Sequence, residues 1–317
     1  MELFLDTETL IIELLLIVSL VAIAVRRLNV PYTVALVLVG LALTLAGSFD
    51  LALTPELILA LFVPPLVFEA AFHLDYQELR RNLRPILLLA IGGVLLTTAL
   101  VGVIVAFGSG LTLATGFVFG ALIAATDPVA VVALFRTLGA PKSLTVLVEG
   151  ESLLNDGTAI VVFSVILAFV LSPAANAGQP ENLPALIMGA VVEVVRVAIG
   201  GVMVGVGLGW LTALVIERLD DYLIEITLTT VLAFGAYLAA ERLGFSGVLA
   251  VVAAGLVCGS LGLRGMSPTT RIVLFNFWEY LAFIANSLVF LLIGLAIDLP
   301  DLVAQIPTIG VRSRRCC

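Results

Sequence analysis

The chain has 317 residues, of which 62% are hydrophobic and 12% are charged, and its formal net charge is -8. Its mean hydropathy is +1.23. A soluble globular domain is about 45–50% apolar and about 25% charged, so this composition excludes a soluble protein and indicates an integral membrane protein. The few basic residues form no patch that nucleic acid would need. Three cysteines, Cys258, Cys316 and Cys317, give neither a disulfide framework nor a paired metal motif.

Long apolar runs predict about ten membrane-spanning helices, because a span needs about 20 mostly apolar residues. The runs lack the period-2 alternation of a β-barrel, so we expect an all-α polytopic membrane protein. Acidic residues precede the first run and Arg26 and Arg27 follow it, which favours a retained span over a cleaved signal peptide. The predicted spans are 9–25, 31–47, 55–72, 85–107, 112–135, 150–171, 184–215, 222–240, 245–262 and 271–297.

Polar segments between these runs predict the connections and the orientation. YQELRRNLRP, residues 76–85, is expected to be an interfacial connector. An eleventh span is expected to begin near Pro300. Basic residues such as Arg136 and Lys142 lie in alternate loops, whereas the opposite loops hold only Arg242. The positive-inside rule therefore predicts that the N-terminus is outside and that the basic loops face the cytoplasm, as in a multi-pass protein of the inner membrane.

An aspartate followed by a proline interrupts the fifth predicted span, at Asp127 and Pro128. Pro128 has no backbone N–H, and its ring clashes with the carbonyl group four residues earlier, so the helix should open near residues 124–126. An open turn at membrane depth exposes carbonyl oxygens, which with the Thr126 hydroxyl are ligands for a hard cation. Asp127 would lie at the positive end of a half-helix. The alternative is that Thr-Asp-Pro caps a short helix at a loop.

The sixth predicted span carries four polar side chains near its start, Glu151, Ser152, Asn155 and Asp156. Ser152 and Asp156 are four residues apart and share a helix face, and Glu151 and Asn155 form the adjacent pair. Carboxylate, hydroxyl and amide oxygens suit Na⁺ or another hard cation. The alternative is that Glu151 and Ser152 cap the cytoplasmic start of the helix.

A carboxylate at membrane depth suggests a mechanism for exchange. Near neutral pH such a group can hold a proton or a cation, and holding both at once is disfavoured. If the protein alternates between inward and outward states, competition at Asp156 couples cation flux to proton flux. The sequence contains no phosphate-binding G-x-x-x-x-G-K-[ST] motif. We therefore predict a secondary transporter that is not an enzyme and uses no cofactor beyond the transported Na⁺ and H⁺.

Two motifs give the protein a family resemblance, ATDPVAVVALF at 125–135 and EGESLLNDGTAIVVF at 149–163. VPYTVALVLVGL at 30–41, VPPLVFEAAFHLD at 63–75 and FSGVLAVVAAGLVCG at 245–259 support it. Together they resemble the monovalent cation:proton antiporter-1 family, the bacterial Na⁺/H⁺ antiporters related to sodium/hydrogen exchangers.

The resemblance implies a role for each site residue. Asp156 would be the ion- and proton-binding aspartate, and Na⁺ would be held by Asp156, Ser152 and Thr126. An asparagine at 155 resembles the electroneutral members, which exchange one cation for one proton. Asp127 would support the crossing of broken helices. Glu151 would pair with an arginine on the eleventh helix.

The resemblance also implies an antiporter fold with inverted repeats, and a homodimer that serves pH homeostasis. Residues 1–310 would form the transmembrane domain, with helices around 1–75 and 220–297 on the dimer side and 85–215 on the core side. The sequence ends VRSRRCC, so we expect an atypical tail at 311–317, an incomplete second repeat and a protein truncated at its C-terminus. Arg312 would be the partner of Glu151 only if the eleventh helix reached it at the right depth. Two alternatives to antiport stay open: a passive cation channel, and an inactive fragment of an antiporter.

Overall fold

The computed structural model describes residues 2–27, 30–45, 54–171, 183–219 and 221–297. Every regular element within these ranges is helical. The helices are α1 (Glu2–Val25), α2 (Tyr32–Leu45), α3 (Pro55–His73), α4 (Tyr76–Ser109), α5 (Leu113–Leu122), α6 (Val129–Leu138), α7 (Lys142–Leu171), α8 (Leu183–Ile216), α9 (Tyr222–Arg242), α10 (Gly247–Val257) and α11 (Pro268–Leu295). A π-helix, Cys258–Gly262, and a short turn, Leu263–Gly265, follow α10.

Five described helices are long and apolar enough to cross a membrane. Many of their exposed side chains are large and apolar, such as Phe107 and Met203, which is expected of surfaces that contact lipid. An all-α polytopic membrane protein is thereby confirmed. The five candidate spans are Tyr76–Ser109, Lys142–Leu171, Met188–Ile216, Tyr222–Arg242 and Pro268–Leu295.

Helix α4 begins about nine residues before the predicted fourth span, so the expectation of a separate connector at 76–85 is wrong. Asp75 caps this helix: its Oδ1 accepts hydrogen bonds from the backbone N–H groups of Gln77, at 2.9 Å, and Glu78, at 3.3 Å. A capped first turn can present charged side chains to water while the backbone stays helical. The arginines of this segment therefore extend from helix α4.

Helix α7 also begins early, at Lys142 instead of residue 150. Glu151 and Ser152 thus lie in the third turn, where backbone N–H groups already have partners within the helix. The alternative that these two residues cap the start of the helix is therefore wrong.

Contacts divide the protein into two compact units, and the described part of the first comprises residues up to Leu66 together with those from Trp278 on. In this unit α2 and α11 meet at glycines. A Cβ atom on Gly40 would fall on the carbonyl oxygen of Leu291, and one on Gly294 would fall on that of Val37. The two backbones are therefore in direct contact, which only glycine permits.

The second unit comprises Val67–Phe277. Here α4 packs against α5 and α7, and α10 packs against α8 and α9. Glycines again allow close approach, since Gly116 of α5 lies against the backbone of Gly102 in α4, and Gly120 against that of Thr98. This packing holds α5 against α4, and α7 packs against the same helix α4.

Several features expected from the sequence lie outside the described residues or stay predictions. The start of an eleventh span near Pro300, Arg312 and the 311–317 tail lie outside the described residues. The inverted repeats and the division into dimer-side and core-side helices stay predictions.

Candidate functional site

The predicted break in the fifth span is present between α5 and α6. Helix α5 ends at Leu122, and residues 123–128 are not helical. The last backbone bonds of this end join Ile123 to Phe119, at 3.2 Å, and Ala124 to Ala121, at 3.3 Å. Helical bonding resumes with the N–H of Val132 donating to the carbonyl of Pro128, at 2.9 Å. The proline therefore stands where the second half-helix starts, as its missing N–H requires.

Helix α7 is tied to this break by Ser152. The Ser152 hydroxyl donates a hydrogen bond to the backbone carbonyl of Thr126, at 2.7 Å. Ser152 is only 7% exposed, so the donor side of this bond is shielded from solvent. A carbonyl released by the opened helix has thus found a partner on a neighbouring helix, and its second lone pair remains available to a ligand.

Asn155 makes a second connection, one turn further along α7. Its Nδ2 donates to the Thr126 hydroxyl, at 3.3 Å, and to Glu151 Oε1, at 3.0 Å. Asn155 is 3% exposed, and its Oδ1 has no hydrogen-bond partner among the described residues. A buried amide oxygen without a donor is uncommon, and it suits a cation or a protonated acid.

Asp156 lies beside this network, half-buried. Its carboxyl group makes no hydrogen bond to another side chain among the described residues, and the carboxyl groups of Asp127 and Glu151 are near enough to repel its charge. The neighbouring Gly157 packs against α10, where an added Cβ would stand 2.5 Å from Leu249 Cδ2. The aspartate is therefore held by a helix whose position is fixed on both sides, while its own oxygens stay available.

The structure brings together most of the predicted site residues. Thr126, Ser152, Asn155 and Glu151 are joined by hydrogen bonds, with Asp156 adjoining them. Asp127 is exposed and lies just before α6, at the end of the half-helix that is positive by its dipole. Among the described residues, the hydrogen-bond partner of the Glu151 side chain is Asn155. The functional roles of these residues stay predictions.

One buried acid was not among the residues predicted from the sequence. Glu225, in the first turn of α9, is 0% exposed, as is Thr229 one turn later. Its charge acts on the buried thiol of Cys258, at the start of the π-helix. The signal was present, because an acid inside predicted span 222–240 is a functional candidate by default. Asp220 and Asp221 stand shortly before it, and acidic residues are also typical of the start of a helix.

Comparisons with known proteins agree on one family. Residues 14–311 match the model of the family described as "Sodium/hydrogen exchanger, transmembrane". The Na⁺/H⁺ antiporter ApNhaP of Aphanothece halophytica is 43% identical over 300 residues, which cover 92% of this chain and 56% of that protein. The low-affinity Na⁺/H⁺ antiporter NhaS1 of Synechocystis sp. is 41% identical, covering 92% and 55%. The protein described here therefore spans about half the length of these curated relatives.

A solved structure confirms the antiporter fold. The structure of the sodium proton antiporter MjNhaP1 from Methanocaldococcus jannaschii at pH 8 matches with a TM-score of 0.73. The match covers 95% of this chain and 72% of that one, at 24% sequence identity. The relatives are antiporters by name, in keeping with the prediction of a transporter and not an enzyme. The family model, the relatives and the fold agree, and the chain belongs to the sodium/hydrogen exchanger transmembrane family.

Proposed function

We propose that the protein exchanges Na⁺, or another monovalent cation, for H⁺ across the inner membrane, one for one, by competition at Asp156. The observation that carries this proposal is the bond from Ser152 to the Thr126 carbonyl, because it sets the broken helix next to the helix of Asp156. The names of the relatives support the exchange of these two ions. Service in pH homeostasis, as a homodimer, belongs to the same proposal.

In the cation-loaded state, Asp156 would supply the negative charge, and Ser152 and Thr126 would supply neutral oxygens. Each of these atoms replaces part of the water shell that a hard cation loses on entry. Asn155 would hold Glu151 and the Thr126 hydroxyl in place through its two donated bonds. Asp127, exposed beside the break, would add negative potential without a direct bond to the ion.

In the proton-loaded state, the same carboxyl group would be neutral. A single carboxylate that binds either one Na⁺ or one H⁺ has the same net charge in both loaded forms. The empty, charged form is costly to carry across a low-dielectric region, so the alternation would proceed with one ion or the other bound. Coupling then needs no ATP and moves no net charge, which accounts for an electroneutral exchange by alternating access.

The proposal is tested by recovery of fluorescence from a pH-sensitive dye in acid-loaded membrane vesicles. The samples are the 317-residue protein, the same protein extended by the further helices that its longer relatives lead us to expect, and Asp156→Asn in each. Glu217→Gln is a matched control, an exposed acid after α8 that also loses one charge. We expect Na⁺ to restore fluorescence with the parent and the control but not with Asp156→Asn.

A second measurement separates exchange from passive flow. With the membrane potential clamped by K⁺ and valinomycin, electroneutral exchange proceeds at the same rate at every potential, whereas a channel follows the potential. Exchange that survives Asp156→Asn would overturn the site, and potential-driven flux would overturn the mechanism. An inactive 317-residue protein beside an active extended protein would limit the activity to the longer form.

A further inference from the structure

The first turns of α4 carry three exposed arginines, Arg80, Arg81 and Arg84, and this helix holds no acidic residue after Glu78. Arg81 already has a partner, because its guanidinium group donates to Glu78 Oε1 at 3.1 Å. Among the described residues, neither Arg80 nor Arg84 has a side-chain hydrogen bond or an ion pair. Two guanidinium groups without a counter-charge therefore stand one helical turn apart at this end of α4.

An apolar stripe continues from these two arginines along the same side of α4. Arg80, Arg84, Leu88, Ile91 and Leu95 follow one another at spacings of four, four, three and four residues, which place them on one side of a helix. Leu88 is 74% exposed, Ile91 44% and Leu95 52%, whereas the opposite side of the helix is buried. We call these five residues the α4 outer face.

The dimensions of the α4 outer face match one leaflet of a membrane. Arg80 and Arg84 are separated by about 6 Å along the helix axis, so their two long side chains can reach the same phosphate group. From Arg84 to Leu95 the helix rises about 16.5 Å, and half of the hydrocarbon core of a bilayer is about 15 Å thick. An acyl chain that begins beside the arginines would therefore contact apolar side chains over the depth of its leaflet.

Charge complementarity identifies the ligand that this face would take. Guanidinium groups bind phosphate through paired N–H donors, and the stripe beyond them requires hydrocarbon. A zwitterionic lipid carries its own cation next to the phosphate, whereas an anionic lipid leaves a net charge for the arginines to neutralise. The start of α4 lies on the side that the positive-inside rule predicts to be cytoplasmic, where anionic headgroups attract arginines next to a span.

We propose that Arg80 and Arg84 bind the phosphate group of an anionic phospholipid, whose acyl chain lies along the rest of the α4 outer face. This site is separate from the exchange site and does not depend on the proposed function. Helix α4 packs against α5 through glycine contacts and also against α7. A lipid held on the outer side of α4 would therefore stabilise the group of helices to which the helix of Asp156 belongs.

The first experiment measures lipid binding directly. The purified protein in a neutral detergent is titrated with phosphatidylglycerol, and native mass spectrometry gives the dissociation constant of the first bound lipid. We expect Arg80→Gln and Arg84→Gln each to weaken binding by about fivefold, and the double variant to weaken it by about 25-fold, from the usual contribution of one arginine near an anionic headgroup.

Arg81→Gln is the matched control, since it removes the same charge from the neighbouring position. It should weaken binding by less than about twofold, because Arg81 is already paired with Glu78. Equal weakening by all three arginine variants would show that the lipid is drawn to a generally positive surface, and it would overturn the assignment to Arg80 and Arg84. Unchanged binding in the double variant would overturn it as well.

The second experiment distinguishes a lipid from a free anion by the melting temperature in detergent. Phosphatidylglycerol should raise the melting temperature of the parent protein. Phosphatidylcholine, inorganic phosphate and glycerophosphoglycerol, which is the same headgroup without acyl chains, should leave it nearly unchanged. Leu88→Asn, which interrupts the apolar stripe, should reduce the rise. Equal stabilisation by inorganic phosphate or by phosphatidylcholine would overturn the inference of an anionic lipid.

Two further variants separate lipid binding from folding and from exchange. Arg80→Lys combined with Arg84→Lys keeps both charges but loses the paired donors, so it should bind phosphatidylglycerol more tightly than the double glutamine variant and less tightly than the parent. Affinity as low as that of the double glutamine variant would show that the charges are not what binds. Asp156→Asn should bind the lipid as the parent does, so this inference and the proposed function can fail separately.

Discussion

The hydroxyl group of Ser152 and the carbonyl group of Thr126 are 2.7 Å apart, joined by a hydrogen bond between residues 26 positions apart in the sequence. This bond links an unbroken helix to the gap in a broken one. A hydrogen bond of this kind contributes about 0.5–1.5 kcal/mol to stability. Its larger importance is geometric, because it fixes the distance between the opened backbone and the helix that carries Asp156.

Ser152→Ala removes this bond and one oxygen next to Asp156. We expect the free energy of unfolding to fall by about 0.5–1.5 kcal/mol and Na⁺ affinity to weaken by about tenfold. Equilibrium ²²Na⁺ binding and thermal unfolding in detergent measure the two effects. Thr158→Val is the matched control, since the Thr158 hydroxyl bonds only within α7, to the carbonyl of Leu154 at 2.7 Å. Equal loss of affinity in both variants would contradict the special position of Ser152.

Asn155→Asp replaces the amide that donates to Glu151 with a second carboxyl group. Two carboxylates at this separation cannot both ionise without strong repulsion, so the pair must share a proton or separate. Repulsion is relieved at low pH, where one group is protonated, and grows as the pH rises. We therefore expect the melting temperature of the variant to fall further below that of the parent at about pH 8 than at about pH 5. A difference that is equal at both pH values would contradict the contact between Asn155 and Glu151.

Gly157→Ala tests how α10 positions the helix of Asp156. The new methyl group would meet Leu249 Cδ2 at 2.5 Å and Cγ at 3.1 Å, so the Leu249 side chain or one of the two helices must shift. We expect weaker Na⁺ binding and a loss of about 1–3 kcal/mol of stability. Leu249→Ala leaves a cavity that costs about 2–5 kcal/mol by itself, but it also makes room for the new methyl.

The double variant, which combines Gly157→Ala with Leu249→Ala, provides the decisive measurement. Because one change accommodates the other, its loss of stability should be smaller than the sum of the two single losses, and its Na⁺ affinity should exceed that of Gly157→Ala. Strictly additive stability losses, with no recovery of affinity, would show that the two residues do not oppose each other.

Gly40→Ala tests the contact between α2 and α11 in the first unit. The added methyl would collide with the carbonyl oxygen of Leu291, a backbone atom that cannot rotate away. We expect a loss of about 1–3 kcal/mol, measured by thermal unfolding in detergent. Gly207→Ala is the control, because nothing lies within 4 Å of its added Cβ, and alanine is the better helix former. A Gly40→Ala variant as stable as this control would contradict the close approach.

Local signals in the sequence are sufficient to predict most of the helices and the break between α5 and α6. Apolar runs predict the spans, because lipid imposes length and composition on each segment separately. Pro128 predicts the opening because its effect on the backbone acts within one turn. Helices α4 and α7 start earlier than predicted, because the charged residues of their first turns are also typical of loops. Asp75 caps α4 and Lys142 starts α7, so both helices begin with polar residues and continue into apolar ones.

Contacts between distant segments cannot be predicted in the same way. The grouping of Ser152 and Asp156 on one face follows from helix periodicity, but the bond from Ser152 to Thr126 depends on how α7 packs beside the break. The complete burial of Glu225 and the approach of Leu249 to Gly157 likewise depend on which helices are neighbours. No single segment carries that information.

The glycine contact between α4 and α5 has a consequence for the ion selectivity of the proposed site. Backbone packed on backbone has no rotamers through which to readjust, so α5 cannot slide on α4 to follow the size of a bound ion. The carbonyl of Thr126 is thus presented at a spacing set during folding. If the carbonyl of Thr126 binds the ion as proposed, such a rigid frame would distinguish cations by radius, since an ion that is too small would leave a gap and one that is too large would be excluded.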